Sequence, residues 1–181
     1  MRFRNFFRHH HKANSESICL DKKIALVGNP NVGKSVIFNN LTGMYVTVSN
    51  YPGTTVEISK GQVKLDGKMA EVIDTPGMYS LIPITEEERI GRSILLNECP
   101  SVILHIVDAK NLDRMLPLTI QLIEAGFHTI LVLNMMDEAE RMGLNIDIKK
   151  LEDKLGIPVI PTVGINKKGM DILKDKITEF L

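Results

Sequence analysis

No stretch of this 181-residue chain approaches the ~20 consecutive apolar residues that a bilayer-spanning helix needs. The basic, aromatic N-terminus from Met1 to Arg8 also lacks the apolar core of a signal peptide, so the chain reads as soluble. Neither sign of charge is in excess: 22 Lys and Arg offset 22 Asp and Glu. That balance removes the usual footprint of a nucleic-acid binder, and no nucleic-acid partner is expected. Cysteine is scarce. Cys19 and Cys99 lie far apart without metal-ligand spacing, which points to a reduced, cytosolic setting. Internal repeats and low-complexity segments are missing as well.

What remains is ordinary globular material, 44% hydrophobic and 24% charged, long enough to bury one core. Residues 1–20 differ from the rest in composition and read as a flexible tail. His9, His10 and His11 within it are adjacent on a flexible segment and form no preorganised metal site; Cys19 borders the same tail. Residues 21–181 form the expected domain. There, short apolar runs alternate with amphipathic segments, the pattern of βα units and a parallel sheet. Strands are predicted at Lys23–Val27, Val56–Leu65, Met69–Ile73, Val102–Val107, Thr129–Leu133 and Val159–Thr162. Asp66-Gly67 joins the second and third as a hairpin and puts one antiparallel strand at the sheet edge. Helices are predicted at Lys34–Leu41, Glu86–Leu96, Leu112–Ala125, Ile148–Leu155 and Met170–Phe180. Glu86, Glu87 and Glu88 suit the positive end of the second helix. The fold class is α/β in three layers: a mostly parallel six-stranded sheet with helices on both faces. Met44 to Thr54 has no steady period and reads as a mobile loop, and Cys99, before Pro100, reads as a packing residue.

Gly28-Asn29-Pro30-Asn31-Val32-Gly33-Lys34-Ser35 fits G-x-x-x-x-G-K-[ST] between a strand and a helix. Such a loop turns its backbone N–H groups toward phosphates at a helix N-terminus, with Val36 in the helix's first turn. Lys34 is placed to reach the β- and γ-phosphates, and the Ser35 hydroxyl to ligate Mg²⁺. Asp74-Thr75-Pro76-Gly77 alone would be a plain turn. After a phosphate loop, Asp74 can hold Mg²⁺ through a water and the Gly77 N–H can touch a γ-phosphate. Asn134-Met135-Met136-Asp137 follows a strand. Guanine presents donors at N1 and N2 that the Asp137 carboxylate can accept and adenine cannot match, while Asn134 braces the loop. Met135 stands where Lys is usual and supplies apolar contact with the base. Thr162-Val163-Gly164 is placed for a backbone N–H to meet the guanine oxygen. Thr54 and Thr55 are both candidates for a hydroxyl that senses γ-phosphate through Mg²⁺.

With these residues in place, the chain resembles the G domain of the ferrous iron transport protein B family, a P-loop GTPase of the TrmE-Era-EngA-like kind. The resemblance covers Lys22 to Leu181 and rests on "SNYPGTTVEISKG" (Ser49 to Gly61), "DTPGMYSLIPITEEER" (Asp74 to Arg89) and the base loop without Lys. It implies GTP hydrolysis controlling Fe²⁺ passage, with Mg²⁺ as cofactor and Thr55 as its switch ligand. It further implies K⁺ as an activating cation held by Asn31, where it would offset transition-state charge. Relatives continue into a helical regulatory domain and a polytopic membrane domain at the cytoplasmic face of the cell membrane. Both are absent here, so an excised fragment is expected; self-association is a further expectation.

Met78 occupies the place of a water-orienting Gln and has no useful hydrogen-bonding group, so slow hydrolysis is expected and no catalytic base is named. Lys34, Asn31, Thr55 and Gly77 are the residues assigned to transition-state contacts. Two rival readings remain. One is a ribosome-assembly or tRNA-modification GTPase, which shares "NPNVGKS" and "DTPG" but brings an RNA-binding module and Asn-Lys-x-Asp. The other is a module that holds nucleotide with negligible turnover.

Overall fold

The computed structural model describes residues 22–43 and 46–181. The expectations for His9 to His11 and Cys19 lie outside them. The chain runs β1 (Lys23–Val27), α1 (Lys34–Thr42), β2 (Val46–Asn50), β3 (Glu57–Leu65), β4 (Lys68–Asp74), α2 (Glu86–Asn97), β5 (Val102–Asp108) and α3 (Leu112–Glu124). It continues through β6 (Thr129–Asn134), α4 (Met136–Arg141), α5 (Ile148–Leu155), β7 (Val159–Pro161) and α6 (Met170–Thr178).

The strands form one sheet in the order β2-β3-β4-β1-β5-β6-β7. β4, β1, β5, β6 and β7 are mutually parallel, and β3 runs against both of its neighbours. The central strands are apolar on both sides because helices cover both faces; every residue of β6 is buried. Ile24 and Leu26 of β1 pack with Ile37, Phe38 and Leu41 of α1 and Leu173 and Ile177 of α6. Ala25 and Val27, on the opposite side of the pleat, pack with Leu95 of α2 and Leu118 and Leu122 of α3. Each such fully buried Leu or Ile contributes roughly 1.5–3 kcal/mol relative to exposure.

The hairpin lies where the dipeptide puts it: Asp66 and Gly67 have φ of 46° and 80°, and Leu65 pairs with Lys68. Both positive angles match the tight turn whose twist suits antiparallel strands. The edge is different from the expectation. The sheet has seven strands, not six, and β3 is internal because β2 pairs along it from Val46–Gly61 to Asn50–Glu57. Residues 46–50 therefore belong to a strand, although the segment was expected to be a loop. All five are exposed, so no buried apolar face imprints a period on the sequence. Cys99 is also corrected: it is exposed beyond α2, with φ of 47°, rather than packed.

A fully buried imidazole sits inside the sheet, on β5. The His105 Nδ1 lies 2.9 Å from the Thr119 hydroxyl, Nε2 has no partner, and burial pushes the imidazole pKa down to about 3.

Candidate nucleotide site

In an open α/β sheet, ligands meet the loops beyond the carboxyl ends of parallel strands. Here the end of β1 opens into Gly28, β4 ends at Asp74, β6 at Asn134, and β7 leads into Thr162. All the sequence motifs thus emerge on one edge of the sheet, brought there by chain direction alone.

The phosphate loop is shaped by close approaches. Gly33, at the N-cap of α1 with φ of 88°, would place a Cβ 2.3 Å from Asn134 Nδ2. A Cβ on Gly77 would come within 2.9 Å of Pro30 Cγ, so the fourth residue of Asp-x-x-Gly lies directly against the phosphate loop. Thr75 is buried and donates its hydroxyl to the Leu26 carbonyl at 2.7 Å, while the Met78 N–H reaches the Gly28 carbonyl at 3.1 Å. Asn31 is exposed in the left-handed region, φ 65°, a conformation Asn tolerates better than most residues.

Three of the assigned side chains meet there. Ser35 donates to Asp74 Oδ2 at 3.2 Å, and Lys34 Nζ stands 3.5 Å from Asp74 Oδ1. Oδ1 is buried with no hydrogen-bond partner. Burial raises the Asp74 pKa above the usual carboxylate value; the Lys34 charge and the Ser35 hydroxyl pull the other way. A buried, underused carboxylate oxygen beside a hydroxyl is the partial oxygen set that suits Mg²⁺, a hard ion completed by water and phosphate. Among the described residues no three His, Cys, Asp or Glu cluster as a self-sufficient metal site.

The two segments flanking this centre are held differently. Tyr51, Pro52, Gly53 and Thr54 close a turn in which the Thr54 N–H and hydroxyl both donate to the Tyr51 carbonyl, at 3.0 and 2.9 Å. Thr54 is thereby committed to its own loop. Thr55 is exposed and makes no hydrogen bond. Tyr51 anchors the turn to α2, with its hydroxyl 3.0 Å from that of Ser93 and its ring against Ile90 and Ile94.

After Gly77, Met78 is fully buried between the sheet and α2 and α3, so it packs the core rather than facing the site. The following loop is tied by two side chains that sequence reasoning missed. Buried Glu88 accepts from the N–H groups of Tyr79, Ile84 and Thr85, at 3.1, 2.8 and 3.2 Å. Those bonds, Ile84's foremost, hold its carboxyl below the usual range. Gln121 accepts from the Leu81 N–H at 2.7 Å and the Ser80 hydroxyl at 3.1 Å. Glu88 was legible: Thr85-x-x-Glu88 is a capping box, and the structure forms both of its bonds.

The far end is knotted by Asn134. Its Nδ2 donates to the Val32 carbonyl at 3.0 Å, and its Oδ1 accepts from the Gly164 N–H at 3.0 Å and the Thr162 hydroxyl at 3.3 Å. One buried amide thus joins the phosphate loop, the β6 loop and the β7 loop. Met135 caps α4 at φ 60°, and its Cε comes 3.9 Å from where a Gly33 Cβ would stand, so it lies over the phosphate loop. Asp137 Oδ2 accepts from Arg141 at 2.9 Å on the exposed side. α4 itself escaped sequence reading because six residues are too few to display a period. Asn40 of α1 was missed too; it donates to the Gly164 carbonyl at 2.8 Å. The N–H groups of Thr162, Val163 and Gly164 are all engaged here, by Leu133, Lys168 and Asn134.

A family model described as ferrous iron transport protein B matches residues 22–177. The chain is 44% identical over 156 residues to a Porphyromonas gingivalis Fe(2+) transport protein A/Fe(2+) transporter FeoB fusion protein, covering 86% of this chain and 18% of that protein. It therefore spans about a fifth of the length of that relative. Among solved structures, the cytosolic domain of the T. maritima FeoB iron transporter in its GMPPNP form superposes with a TM-score of 0.84 at 39% identity, covering 87% of this chain and 63% of that one. An S. thermophilus NFeoB variant bound to GDP gives 0.81 at 43% identity, covering 86% and 59%.

Proposed function

This chain belongs to the ferrous iron transport protein B family, and from that premise we propose that it binds and hydrolyses GTP as a switch. The observation that carries the reading is the buried Asp74 carboxylate at the mouth of the phosphate loop, one oxygen bonded by Ser35 and the other beside Lys34 without a hydrogen bond. Backbone N–H groups of Asn29 and of Asn31 to Ser35 cradle the phosphates, and Lys34 neutralises their charge. Ser35, Thr55 and, through a water, Asp74 are the residues that hold Mg²⁺; when bound, the ion stabilises charge on the β- and γ-phosphates. Thr55 takes this role rather than Thr54, whose hydroxyl is spent on Tyr51. The Gly77 N–H reports on the γ-phosphate. Asn31, exposed on the loop, is the residue for K⁺. Asp137 accepts from guanine N1 and N2, and Met135 covers the base.

Relatives known as Fe²⁺ transporters and the FeoB structures named for GDP and GMPPNP support this reading over an RNA-directed GTPase. No helix among the described residues is long and apolar enough to cross a membrane. The role that follows is a switch domain at the cytoplasmic face, controlling Fe²⁺ uptake through a membrane domain by way of a helical regulatory domain. Self-association belongs to the same proposal. Hydrolysis is slow, because Met78 is buried and leaves the attacking water to backbone groups or another loop.

The test is GTP hydrolysis in K⁺ and in Na⁺ buffer, for this protein and for Asn31→Ala. Stimulation by K⁺ that disappears in the variant is expected. ATP bound as tightly as GTP would overturn the guanine assignment, and equal rates in both salts would remove the cation role of Asn31.

A further inference from the structure

In the β7 loop, from Thr162 to Lys168, the N–H group of Ile165 alone makes no hydrogen bond within the described residues. From Thr162 to Ile165, the first three N–H groups donate to Leu133, Lys168 and Asn134, while that of Ile165 has no partner. Ile165 belongs to the same peptide unit as the Gly164 carbonyl, and that carbonyl is what Asn40 Nδ2 grips at 2.8 Å. In a planar trans peptide the C=O and N–H point in opposite directions. Fixing one therefore aims the other. Asn40 is in the second turn of α1, the helix that begins with Lys34, so the grip on this peptide comes from the element that also carries the phosphate loop.

We infer that Asn40 is a positioning residue for guanine recognition: by holding the Gly164 carbonyl it directs the Ile165 N–H at the 6-oxygen of the base. The inference rests on the guanine-nucleotide reading above and gives its β7 loop a specific donor. Gly164 allows the fit. A Cβ there would stand 3.2 Å from Val36 Cγ1 and Ile37 Cδ1 and 3.3 Å from Asn134 Oδ1, so the peptide is wedged between α1 and the Asn134 amide. The peptide before Gly164 is anchored through the Gly164 N–H by Asn134, and the peptide after it through the Gly164 carbonyl by Asn40, from residues 30 and 124 positions away. Without the Asn40 donor, the carbonyl keeps only the longer 3.3 Å bond from the Lys167 N–H, so the peptide turns more easily and the open N–H samples other directions. Affinity then falls in proportion to the time the donor spends misaimed. A carbonyl hydrogen bond of this kind is worth a factor of about five to ten.

Three proteins and two nucleotides test it. Dissociation constants are measured for GDP and 6-thio-GDP with the wild type, Asn40→Ala and Asn40→Asp. The thio analogue keeps N1–H and the 2-amino group but replaces the 6-oxygen with a weakly accepting sulfur. Asn40→Asp keeps the side chain's shape and removes its donor. Both variants are expected to bind GDP about five- to tenfold more weakly and 6-thio-GDP within about twofold of wild type, so the preference for GDP collapses. An equal loss for both nucleotides means general loosening and overturns the inference, as does unchanged GDP affinity in either variant. If the wild type fails to bind GDP at all, the guanine reading itself fails, and the outcomes are distinct.

Discussion

The base end and the γ-phosphate end of this site are tied by opposite means. At the base end, Asn134 reaches the phosphate loop across 102 residues and Asn40 reaches the β7 loop across 124. At the other end, the loop before Thr55 closes on itself, with Thr54 bonded to a carbonyl three residues back and to an N–H two residues ahead. Long-range side-chain bonds in a buried setting fix a geometry before the ligand arrives. Local bonds hold the shape of the exposed turn, and its tie to α2 runs through Tyr51 at its start, so the Thr55 side is cheaper to move. The base end is therefore built as a constant and the Thr55 loop as a variable, as nucleotide-state sensing requires.

The largest expected effect falls on the sheet that both ends share. His105 is neutral in the folded protein because its pKa is held to about 3, whereas the unfolded chain takes up the proton at about 6.5. Its stabilising share is complete above pH 6.5 and is lost as pH falls toward 3, by about 3 to 5 kcal/mol. Urea unfolding at a series of pH values should show the decline, with a shallower slope in His105→Leu. Next, Asn134→Ala breaks the constant end. It strands the Val32 carbonyl and the Gly164 N–H in a buried place, and GDP affinity should fall about a hundredfold or more, roughly 3 kcal/mol. Glu88→Ala strikes between the two. It frees three N–H groups and should cost about 2 kcal/mol in denaturant unfolding, with faster amide exchange from residues 79 to 85. As the Glu88 pKa is depressed, its contribution is present above the ordinary carboxylate range and vanishes as pH drops through its folded value. The smallest effect is Tyr51→Phe. It removes only the hydroxyl contact with Ser93 and should shift stability by under about 1 kcal/mol, while raising the mobility of the Thr55 loop.

The same contrast explains what the sequence made legible. Residues assigned to phosphate or base sit at spacings dictated by ligand chemistry, so Lys34, Ser35, Asp74, Asn134 and Asp137 could be named from pattern; Lys34, Ser35 and Asp74 meet in space and Asn134 reaches the phosphate loop. Hairpin and strands followed from Asp66-Gly67 and from apolar runs buried on both faces. Residues that hold those residues in place were silent. Asn40 and Gln121 are ordinary polar side chains on helices, and their partners lie 124 and 40 positions away. β2 gave no period because none of its faces is buried, and Met135, expected as an apolar cover, could not reveal its left-handed backbone. The sequence pointed to a backbone N–H of Thr162-Val163-Gly164 without saying which; those three donate to Leu133, Lys168 and Asn134, and the N–H without a partner beside them belongs to Ile165.

Amide hydrogen exchange, resolved by residue, measures the difference between the two ends directly in the nucleotide-free, GDP-bound and GTP-analogue-bound protein. Thr162 to Gly164 should exchange slowly in all three states, and the amides of Gly53 and Thr55 should slow only with the γ-phosphate analogue. Rapid exchange at Thr162 to Gly164 in the free protein, or equal slowing of Gly53 and Thr55 by GDP, would contradict a fixed base end and a movable phosphate end.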